Sequence, residues 1–521
     1  MAPGNAITFV KRASVLGIII VLFHPIILFV IRAGGLDLTD ILISSAFWKA
    51  LWFTLYQATL SLLLSLLIGL PGALWLSQYR GKLKPYIHAF LTIFLMLPVI
   101  FVILGFISLF GEESLINKFI FLISGEKLHI LYSFPAILIA HIFYNVPLVI
   151  KIVSRAWEET GKTEEQAALL LGASRLKIFT SITLPKLLPP TIAVSLIVFA
   201  FCYMSFAIPL ILGGSPSFST LEVLIYEKAR LELNLKFAMG LALLELLVSL
   251  LFFWTCTRFI HKYTFIPSHP SKVVARSKVS VSFKIYLFFI SLFLILPFIT
   301  LIAETILGLS STGSILKTTL IHPLSVSLLV ALSSGIVATS LGLLSSLLIR
   351  NLPEERMYDL IFFIPMGISS LFLGICYLIS YQKFILHGWG IMVLIVLHSA
   401  INFPFAYRII RGSIVKLSPQ IWQAAEHFAP KWGIRLRYVT FPLLKTSVIN
   451  AFLITMALSL GEFNATMMVA GGRLKTIPII IYELLGSYRL ESALFIGLVY
   501  TLIAFFIFYF VERRGSYVTP S

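Results

Sequence analysis

The sequence predicts an all-α integral membrane protein with about twelve transmembrane helices, arranged as two parallel repeats of six helices. Three observations predict this fold: an extreme apolar composition, long runs without charge, and an internal repeat. Of the 521 residues, 59% are hydrophobic and only 12% are charged. Soluble chains carry roughly a quarter charged residues, so a chain of this composition needs a bilayer as its solvent.

Twelve uncharged or nearly uncharged runs are long enough to cross a bilayer. The first run, 13–31, follows Lys11 and Arg12, and we expect it to remain as a membrane helix because no small-residue cleavage site follows it. The other predicted spans are 50–77, 89–110, 133–150, 189–212, 237–258, 285–303, 323–349, 360–381, 389–407, 447–470 and 492–511.

The net charge of +18 is spread over short basic clusters between the apolar runs. Such clusters are typical of cytoplasmic loops under the positive-inside rule, and they do not favour nucleic-acid binding. Most of the 40 Lys and Arg residues lie in cytoplasmic segments when the N-terminus is placed inside. The charge pattern therefore predicts that both termini are cytoplasmic.

An internal repeat relates the two parts of the chain. Many residues recur at a shift of 257 positions or within one residue of it. The matched groups are His141, Asn145 and Pro147 with His398, Asn402 and Pro404, Ser205-Phe206 with Glu462-Phe463, and Tyr226-Glu227 with Tyr482-Glu483. Because this interval spans six predicted helices, an even number, the halves are expected to be parallel repeats with a solute pathway between them.

The repeat predicts a division of the chain into two halves and a linker. The first half is 1–258, with a core from about 50 to 258, and the second is 285–521, with a core from about 323 to 511. Between them, 259–284 is rich in Ser and bases and contains Pro267 and Pro270. This composition favours a cytoplasmic linker.

The long loops 155–186 and 411–446 carry the most specific pattern. In the first loop, Thr163 and Gln166 form a capping box, which predicts a helix from about 164, and Gly172 suits a left-handed C-terminal position. In the second loop, Ser418-Pro419 predicts the start of the equivalent helix and Pro430 its end. Because the two loop helices lie at matching positions of the repeat, we expect them to be docking elements for a partner with two equal subunits.

At these residues the chain resembles the permeases of bacterial binding-protein-dependent ABC importers, whose signature is Glu-Ala-Ala, three residues, Gly and, about a dozen residues later, Leu-Pro. Both copies here have Gln in place of Glu, and the second copy has Ala in place of Gly. The resemblance assigns ATPase coupling to ten residues. They are Gln166, Ala167, Ala168, Gly172 and Pro185 in the first loop, and Gln423, Ala424, Ala425, Ala429 and Pro442 in the second.

The resemblance implies the type I ABC importer permease fold, in the inner membrane of a bacterium. It also implies two kinds of partner, a homodimeric ABC ATPase in the cytoplasm and a solute-binding protein outside. ATP and Mg would be bound by the ATPase, because this sequence has no Gly-x4-Gly-Lys-Ser/Thr phosphate loop. We therefore expect a transport subunit that is not itself an enzyme and holds no cofactor.

The segments after the fifth and eleventh predicted spans resemble the fused thiamine permeases, whose nearest relatives are fused iron(III) permeases. The stretch Gly486 to Arg489 favours thiamine, with iron(III), a phosphonate or a polyamine as alternatives. A carboxylate inside a membrane span is costly and generally faces a partner or a cavity. Candidate residues of the solute path are Glu462, Asn464, Tyr203 and Ser205.

Purely structural roles, and other classes of protein, are alternatives to several of these assignments. Glu462 and Glu245 could make hydrogen bonds between helices, and the matched His and Asn residues are expected to do so. No metal site is predicted from two His so distant in sequence. A proton-coupled secondary transporter also commonly has twelve helices in two parallel halves, but the duplicated loops argue against it. The motifs of metalloproteases and serine hydrolases are absent from the sequence.

Overall fold

The computed structural model describes residues 3–33, 36, 38–79, 81–159, 163–214, 216–262, 281–308, 316–429, 431–470 and 474–515. All the regular structure in these ranges is helical, which confirms the predicted all-α class. Most of the predicted linker 259–284 lies outside the described residues. The predicted division of the sequence into halves therefore stays a prediction.

The described residues of the first sequence half contain twelve α-helices, counting Arg175–Tyr203 with its π turn as one. They are α1 Pro3–Ala33, α2 Thr39–Ile43, α3 Ser45–Gln78, α4 Lys84–Met96, α5 Val99–Phe110, α6 Leu115–Ser124, α7 Phe134–Glu159, α8 Thr163–Leu170, α9 Arg175–Tyr203, α10 Ala207–Leu212, α11 Leu221–Tyr226 and α12 Leu235–Lys262.

In the second half, the residues that the structure describes contain ten α-helices, most of which have a counterpart in the first. They are α13 Val281–Leu307, α14 Leu316–Leu348, α15 Glu355–Phe363, α16 Ser370–Phe384, α17 Gly390–Lys416, α18 Pro419–Phe428, α19 Trp432–Gly461, α20 Asn464–Val469, α21 Ile477–Gly486 and α22 Leu490–Gly515.

Nine helical segments of the described residues are long and apolar enough to cross a membrane, or ten when one bent pair counts as a span. One of the nine, Ser370–Lys416, has 47 residues and contains α16 and α17. Non-helical backbone at Tyr381 kinks α16 near its end. Gly388, with a positive φ of 92°, lies in the turn between α16 and α17. These nine or ten candidate spans are consistent with the predicted fold, whereas the count of twelve transmembrane helices stays a prediction.

The predicted span 89–110 is not one straight helix. The bent pair α4 and α5 makes an angle of 93° at this point. Proline has no N–H and disfavours helical backbone in the preceding residue, and Leu97, which precedes Pro98, is extended. In the second half the backbone turns at Ser369, whose φ and ψ of −58° and 138° equal those of Pro98.

The predicted spans 189–212 and 447–470 are each interrupted near their ends. Helix α9 ends at Tyr203 and α19 at Gly461, and a short helix follows each break. Aromatic pairs stabilise both breaks, with ring centroids 5.4 Å apart for Phe206 and Tyr226 and 5.7 Å apart for Phe463 and Tyr482. These two pairs are the residues that the sequence repeat matches.

The described chain forms two compact units that cross the sequence halves. One, here the N-core unit, consists of Thr39–Glu227 and Leu247–Leu307. The other, the C-core unit, consists of Met1–Leu38, Lys228–Leu246 and Gly308–Ser521. Helix α13 therefore packs in the unit built from the first half, and α1 in the unit built from the second.

Contacts inside each unit hold these exchanged helices. In the N-core unit, Ser108 on α5 donates to Glu304 on α13 at 2.9 Å. In the C-core unit, Phe29 on α1 packs edge-on against Phe372 on α16 at 5.2 Å. The first helix of each sequence half thus supports the core of the other half.

Small residues bring the longest helices together at matching positions in the two units. A methyl group on Gly69 of α3 would lie 2.7 Å from Val149 Cγ1 on α7, and one on Gly342 of α14 would lie 2.9 Å from the backbone nitrogen of Tyr407 on α17. Small residues allow such close approach in membrane helix pairs. The Gly342 contact is the less adjustable one because the atoms it meets are backbone.

Replacing Gly342 with alanine is expected to destabilise the C-core unit. Overpacking costs about 1–3 kcal/mol, more than the roughly 1 kcal/mol that alanine gains over glycine within a helix. Gly412→Ala in α17 is the matched control, since nothing lies within 4 Å of its added methyl group. Thermal unfolding of the purified protein in detergent should give a lower Tm for Gly342→Ala and an unchanged or higher Tm for Gly412→Ala. Equal rises in both variants would contradict the crowding argument.

Candidate functional site

The first loop helix, α8, is short and well defined. It begins at Thr163, one residue from the predicted start. Gly172 has a φ of +79°, as its sequence position predicted, and its N–H donates to the carbonyl of Leu169 at 3.0 Å. The N–H of Ala173 donates to the carbonyl of Ala168 at 3.0 Å. These two bonds form a Schellman motif, which ends the helix and satisfies its last carbonyls.

Side chains tie this first loop helix to the membrane span that follows it. The hydroxyl of Thr183 donates to Glu165 Oε1 at 2.6 Å, and Lys186 forms an ion pair with Glu164. Both carboxylates lie in the first turn of α8, where the helix dipole favours negative charge. These two contacts connect the first turn of α8 to the part of α9 around Pro185.

Pro185 and Pro442, the prolines of the two loops, each lie in the first α-helical turn after a short π turn. A single π turn, Phe179–Thr183, joins the start of α9 to the part that contains Pro185. The turn Leu436–Thr440 does the same before Pro442 in α19, at a shift of 257 residues. Proline removes one helical hydrogen bond and crowds the preceding turn, and a π turn accommodates such a defect.

The second loop helix, α18, begins after Ser418, with Pro419 in its first turn, as the sequence predicted. Its end differs from that of α8. Ala429 stands where the first loop has Gly172, and its φ and ψ are −134° and 71°, outside the left-handed region. A side chain disfavours the left-handed conformation, so the Gly-to-Ala change alters the way the helix ends.

The motif residues differ in how much surface they present. Gln166, Ala167, Gln423 and Ala424 are exposed, whereas Ala425 is only 5% exposed. Just after the alanines, each loop presents a large apolar side chain at the same repeat position. Leu171 is 87% exposed and Phe428 is 86% exposed.

The second loop helix is held by a different contact from the first. The Arg350 guanidinium lies over the Trp422 ring of α18, 4.0 Å from its centroid. Arg350 also belongs to a group of contacts with α1, since Lys11 Nζ donates to its carbonyl oxygen at 3.2 Å and Arg12 pairs with Glu354 at 2.5 Å. Trp422 occupies the repeat position of Glu165. The two loops are thus anchored by different chemistry at the same position.

Glu462 and Asn464, two of the predicted path residues, lie together at the break between α19 and α20. Glu462 Oε1 accepts from the N–H of Ala465 at 2.8 Å, and Asn464 Nδ2 donates to the hydroxyl of Ser370 at 3.3 Å. Within the described part of the chain, Asn464 Oδ1 is buried without a hydrogen-bond partner. A carboxylate beside an unused acceptor suits a ligand that is cationic and donates hydrogen bonds.

Tyr203 and Ser205, the other two path candidates, lie in the N-core unit. Tyr203 is buried in an apolar cluster and stacks on Phe199 with centroids 6.2 Å apart. The Ser205 hydroxyl is hydrogen-bonded to His141 Nε2 at 3.0 Å, and His141 Nδ1 is bonded to Ser61 at 3.0 Å. These contacts are packing interactions inside the unit.

The matched histidine of the C-core unit makes the same kind of bonds. His398 Nδ1 is bonded to the Ser459 hydroxyl at 2.7 Å, and its Nε2 to the Thr466 hydroxyl at 2.8 Å. Both histidines therefore join helices through buried hydroxyl groups, as the packing interpretation predicted. Across the described residues, no group of three or more His, Cys, Asp or Glu side chains is placed to hold a metal ion.

Comparisons with known proteins agree with this arrangement. Residues 61–264 match the family described as "Binding-protein-dependent transport system inner membrane component". The thiamine transport system permease protein ThiP of Brucella abortus (strain 2308) is 26% identical over 488 residues, which cover 90% of this chain and 88% of that protein. These similarities support a permease of the type I ABC importer group.

Two further relatives match both halves of the permease. The protein ThiP of Escherichia coli (strain K12) is 23% identical over 481 residues, or 90% of this chain and 89% of that protein. That of Haemophilus influenzae (strain ATCC 51907) is 25% identical over 527 residues, or 95% of each. The resemblance to the fused thiamine group, predicted from the sequence, is confirmed. The permease is a multi-pass inner-membrane transport subunit.

One buried and one half-buried carboxylate, Glu222 and Glu304, were not among the predicted site residues. Glu222 is completely buried in the first turn of α11, behind the capping hydroxyl of Thr220. Glu304, near the end of α13, accepts from Ser108 as described above. The signal for Glu222 was its place two residues after a capping Thr in an apolar stretch. The partner of Glu304 could not be predicted because α5 and α13 are distant in sequence.

Proposed function

We propose that this permease carries thiamine across the inner membrane as part of an ATP-driven importer. The observation that carries the proposal is the similarity to thiamine transport permeases over about nine-tenths of both chains. The geometry at Glu462 and Asn464 supports it, because thiamine is a cation with an amino group that can donate hydrogen bonds. A solute path lined by these two residues would attract such a ligand.

The two loop helices are the proposed docking elements for a homodimeric ABC ATPase. The exposed alanines permit close approach, and Leu171 and Phe428 provide apolar side chains for burial against the partner. The remaining coupling residues, from Gln166 to Pro185 and from Gln423 to Pro442, shape or flank these helices. ATP and Mg are bound by the ATPase, which hydrolyses the ATP, and closure of the ATPase moves α8 and α18.

A solute-binding protein is the proposed partner on the other side of the membrane. The loops suggested by the sequence are 213–236 and 471–490, opposite the cytoplasmic termini in the proposed orientation. Leu233 and Tyr488 hold equivalent places just before α12 and α22, with φ of 55° and 57°. Both side chains are exposed, Tyr488 to 97%. Non-glycine residues with positive φ are strained, so rigid, projecting side chains stand at both loops.

The proposed cycle is alternating access. Binding of ATP and of the loaded binding protein favours an outward-open state, and hydrolysis restores the inward-open state. Glu462 offers its carboxylate to the cation during passage. The populations of the outward-open and inward-open states are set by the difference in affinity of these ligands for the two states.

Uptake of labelled thiamine by cells tests the substrate. A strain that lacks the permease is complemented with the chain, its ATPase and its binding protein. We expect ATP-dependent, saturable uptake that excess unlabelled thiamine abolishes and ferric iron does not. Uptake that ferric iron competes away would assign iron(III) instead, and absence of thiamine uptake by an assembled complex would reject the thiamine assignment.

A further inference from the structure

A groove in the N-core unit lies outside the proposed transport machinery. It has a volume of about 360 Å³ and lies among the end of α3, the start of α4, α7 and the start of α13. Its lining is almost entirely apolar and includes Leu76, Ile87, Phe90, Ile150, Leu287 and Ile290. Cavities that bind small ligands have volumes of roughly 300–1,000 Å³. The groove is therefore large enough for part of a lipid chain.

Tyr286 holds one wall of this groove in place. Its hydroxyl donates to the carbonyl of Ile68 on α3 at 2.8 Å, and its ring lies 5.2 Å from that of Trp75. Gly72 permits this contact, because a methyl group there would overlap the Tyr286 hydroxyl. The phenol is thus bonded to the backbone of α3, and its polar atom is not available to a ligand.

Two lysines directly flank lining residues of the groove in the sequence. Lys82 is adjacent in sequence to the lining residue Leu83, and Lys284 to the lining residue Phe283. Both lysines are exposed, and neither has a carboxylate partner within the part of the chain that the structure describes. The nearby Lys84 differs, since it pairs with Glu158 at 2.8 Å. An anion at the mouth would meet two available ammonium groups.

We propose that this groove binds an anionic phospholipid, with an acyl chain among the apolar side chains and the phosphate at Lys82 and Lys284. Each part of the site matches one part of the lipid. The walls include helices long and apolar enough to cross a membrane, and Lys82 and Lys284 lie near helix ends, where lipid headgroups are expected. Basic pockets between membrane helices on the cytoplasmic side bind anionic headgroups in this way. A zwitterionic lipid would leave the two lysine charges uncompensated.

Photo-crosslinking in vesicles tests the proposal without any transport assay. The full chain is reconstituted in phosphatidylcholine containing a trace of phosphatidylglycerol with a diazirine on its acyl chain. We expect labelled peptides around Phe90 and Ile290. The double variant Lys82→Gln/Lys284→Gln should reduce this labelling about tenfold, whereas Lys49→Gln, at the opposite end of α3, should not. Equal labelling by a phosphatidylcholine probe, or undiminished labelling of the double variant, would overturn the proposal.

A second variant tests the groove itself. Leu287→Trp should fill it and reduce labelling there, while labelling of other lipid-facing peptides persists as an internal control for the membrane fold. Labelling around Phe90 that is unaffected by this larger side chain would show that the probe binds elsewhere. If the filled variant does not fold, the lysine double variant still decides the matter. None of these outcomes depends on whether the permease carries thiamine.

Discussion

Replacing Leu171 and Phe428 together with aspartate should abolish solute uptake while the permease remains folded in the membrane. Both side chains are almost fully exposed in the isolated chain and occupy the same position of the two loops. Burial of a large apolar side chain stabilises an interface by about 1.5–3 kcal/mol. Losing two such contacts and placing two charges there should weaken docking of the ATPase by at least about a hundredfold.

The matched control is the double variant Leu171→Met/Phe428→Met, which keeps both positions apolar and should retain most of the uptake. Co-purification of the ATPase with each permease variant measures docking, and uptake by the same cells measures function. The motif alanine Ala425 is less suitable for a charge, because it is only 5% exposed and its replacement would disturb α18 itself. Normal uptake by the aspartate double variant would remove the loops from the docking assignment.

Glu462→Gln should reduce thiamine uptake by about tenfold or more with little change in stability. The amide oxygen can still accept from the N–H of Ala465, so the start of α20 keeps its hydrogen bond. What is lost is the negative charge beside Asn464. A charge-assisted hydrogen bond contributes roughly 1.5–3 kcal/mol, against about 1 kcal/mol for a neutral one. The expected change is therefore a higher thiamine concentration for half-maximal uptake.

Glu462→Ala separates the structural role from the transport role. Alanine removes both the charge and the acceptor, so it should lower the Tm as well as the uptake, with an expected stability cost of about 1 kcal/mol for the lost cap. If Glu462 only stabilises the helix break, the Gln variant will transport like the unaltered permease and the Ala variant will be impaired through stability alone. That pattern would exclude Glu462 from the solute path.

The loop helices and the repeat could be predicted because their signals are local. The left-handed Gly172 and the helix start at Pro419 depend on residues within a few positions of one another. The bend at Pro98 has a local signal as well, but hydropathy alone joined α4 and α5 into a single span. The breaks after Tyr203 and Gly461 were hidden because the short helices beyond them, Ala207–Leu212 and Asn464–Val469, contain no charged residue and so continue the uncharged runs.

The exchanged packing of α1 and α13 could not be predicted from local patterns. Both helices are apolar on most faces, and any neighbouring span could have covered them. Their positions depend on distant contacts, such as Ser108 with Glu304 and Phe29 with Phe372. For the same reason, the sequence did not reveal that Trp422 packs under Arg350 while its counterpart Glu165 bonds to Thr183. Residues at matching repeat positions are therefore expected to lie at equivalent points of the fold, but their side chains need not contact equivalent residues.

The most direct test of the account is ATP hydrolysis by the reconstituted importer. The permease and its ATPase are placed in vesicles, and the rate is measured with the binding protein empty and loaded with thiamine. We predict that loaded binding protein raises the hydrolysis rate and that thiamine crosses the membrane only when ATP is present. Passage of thiamine without ATP, or a hydrolysis rate that is the same with and without the permease, would contradict the account.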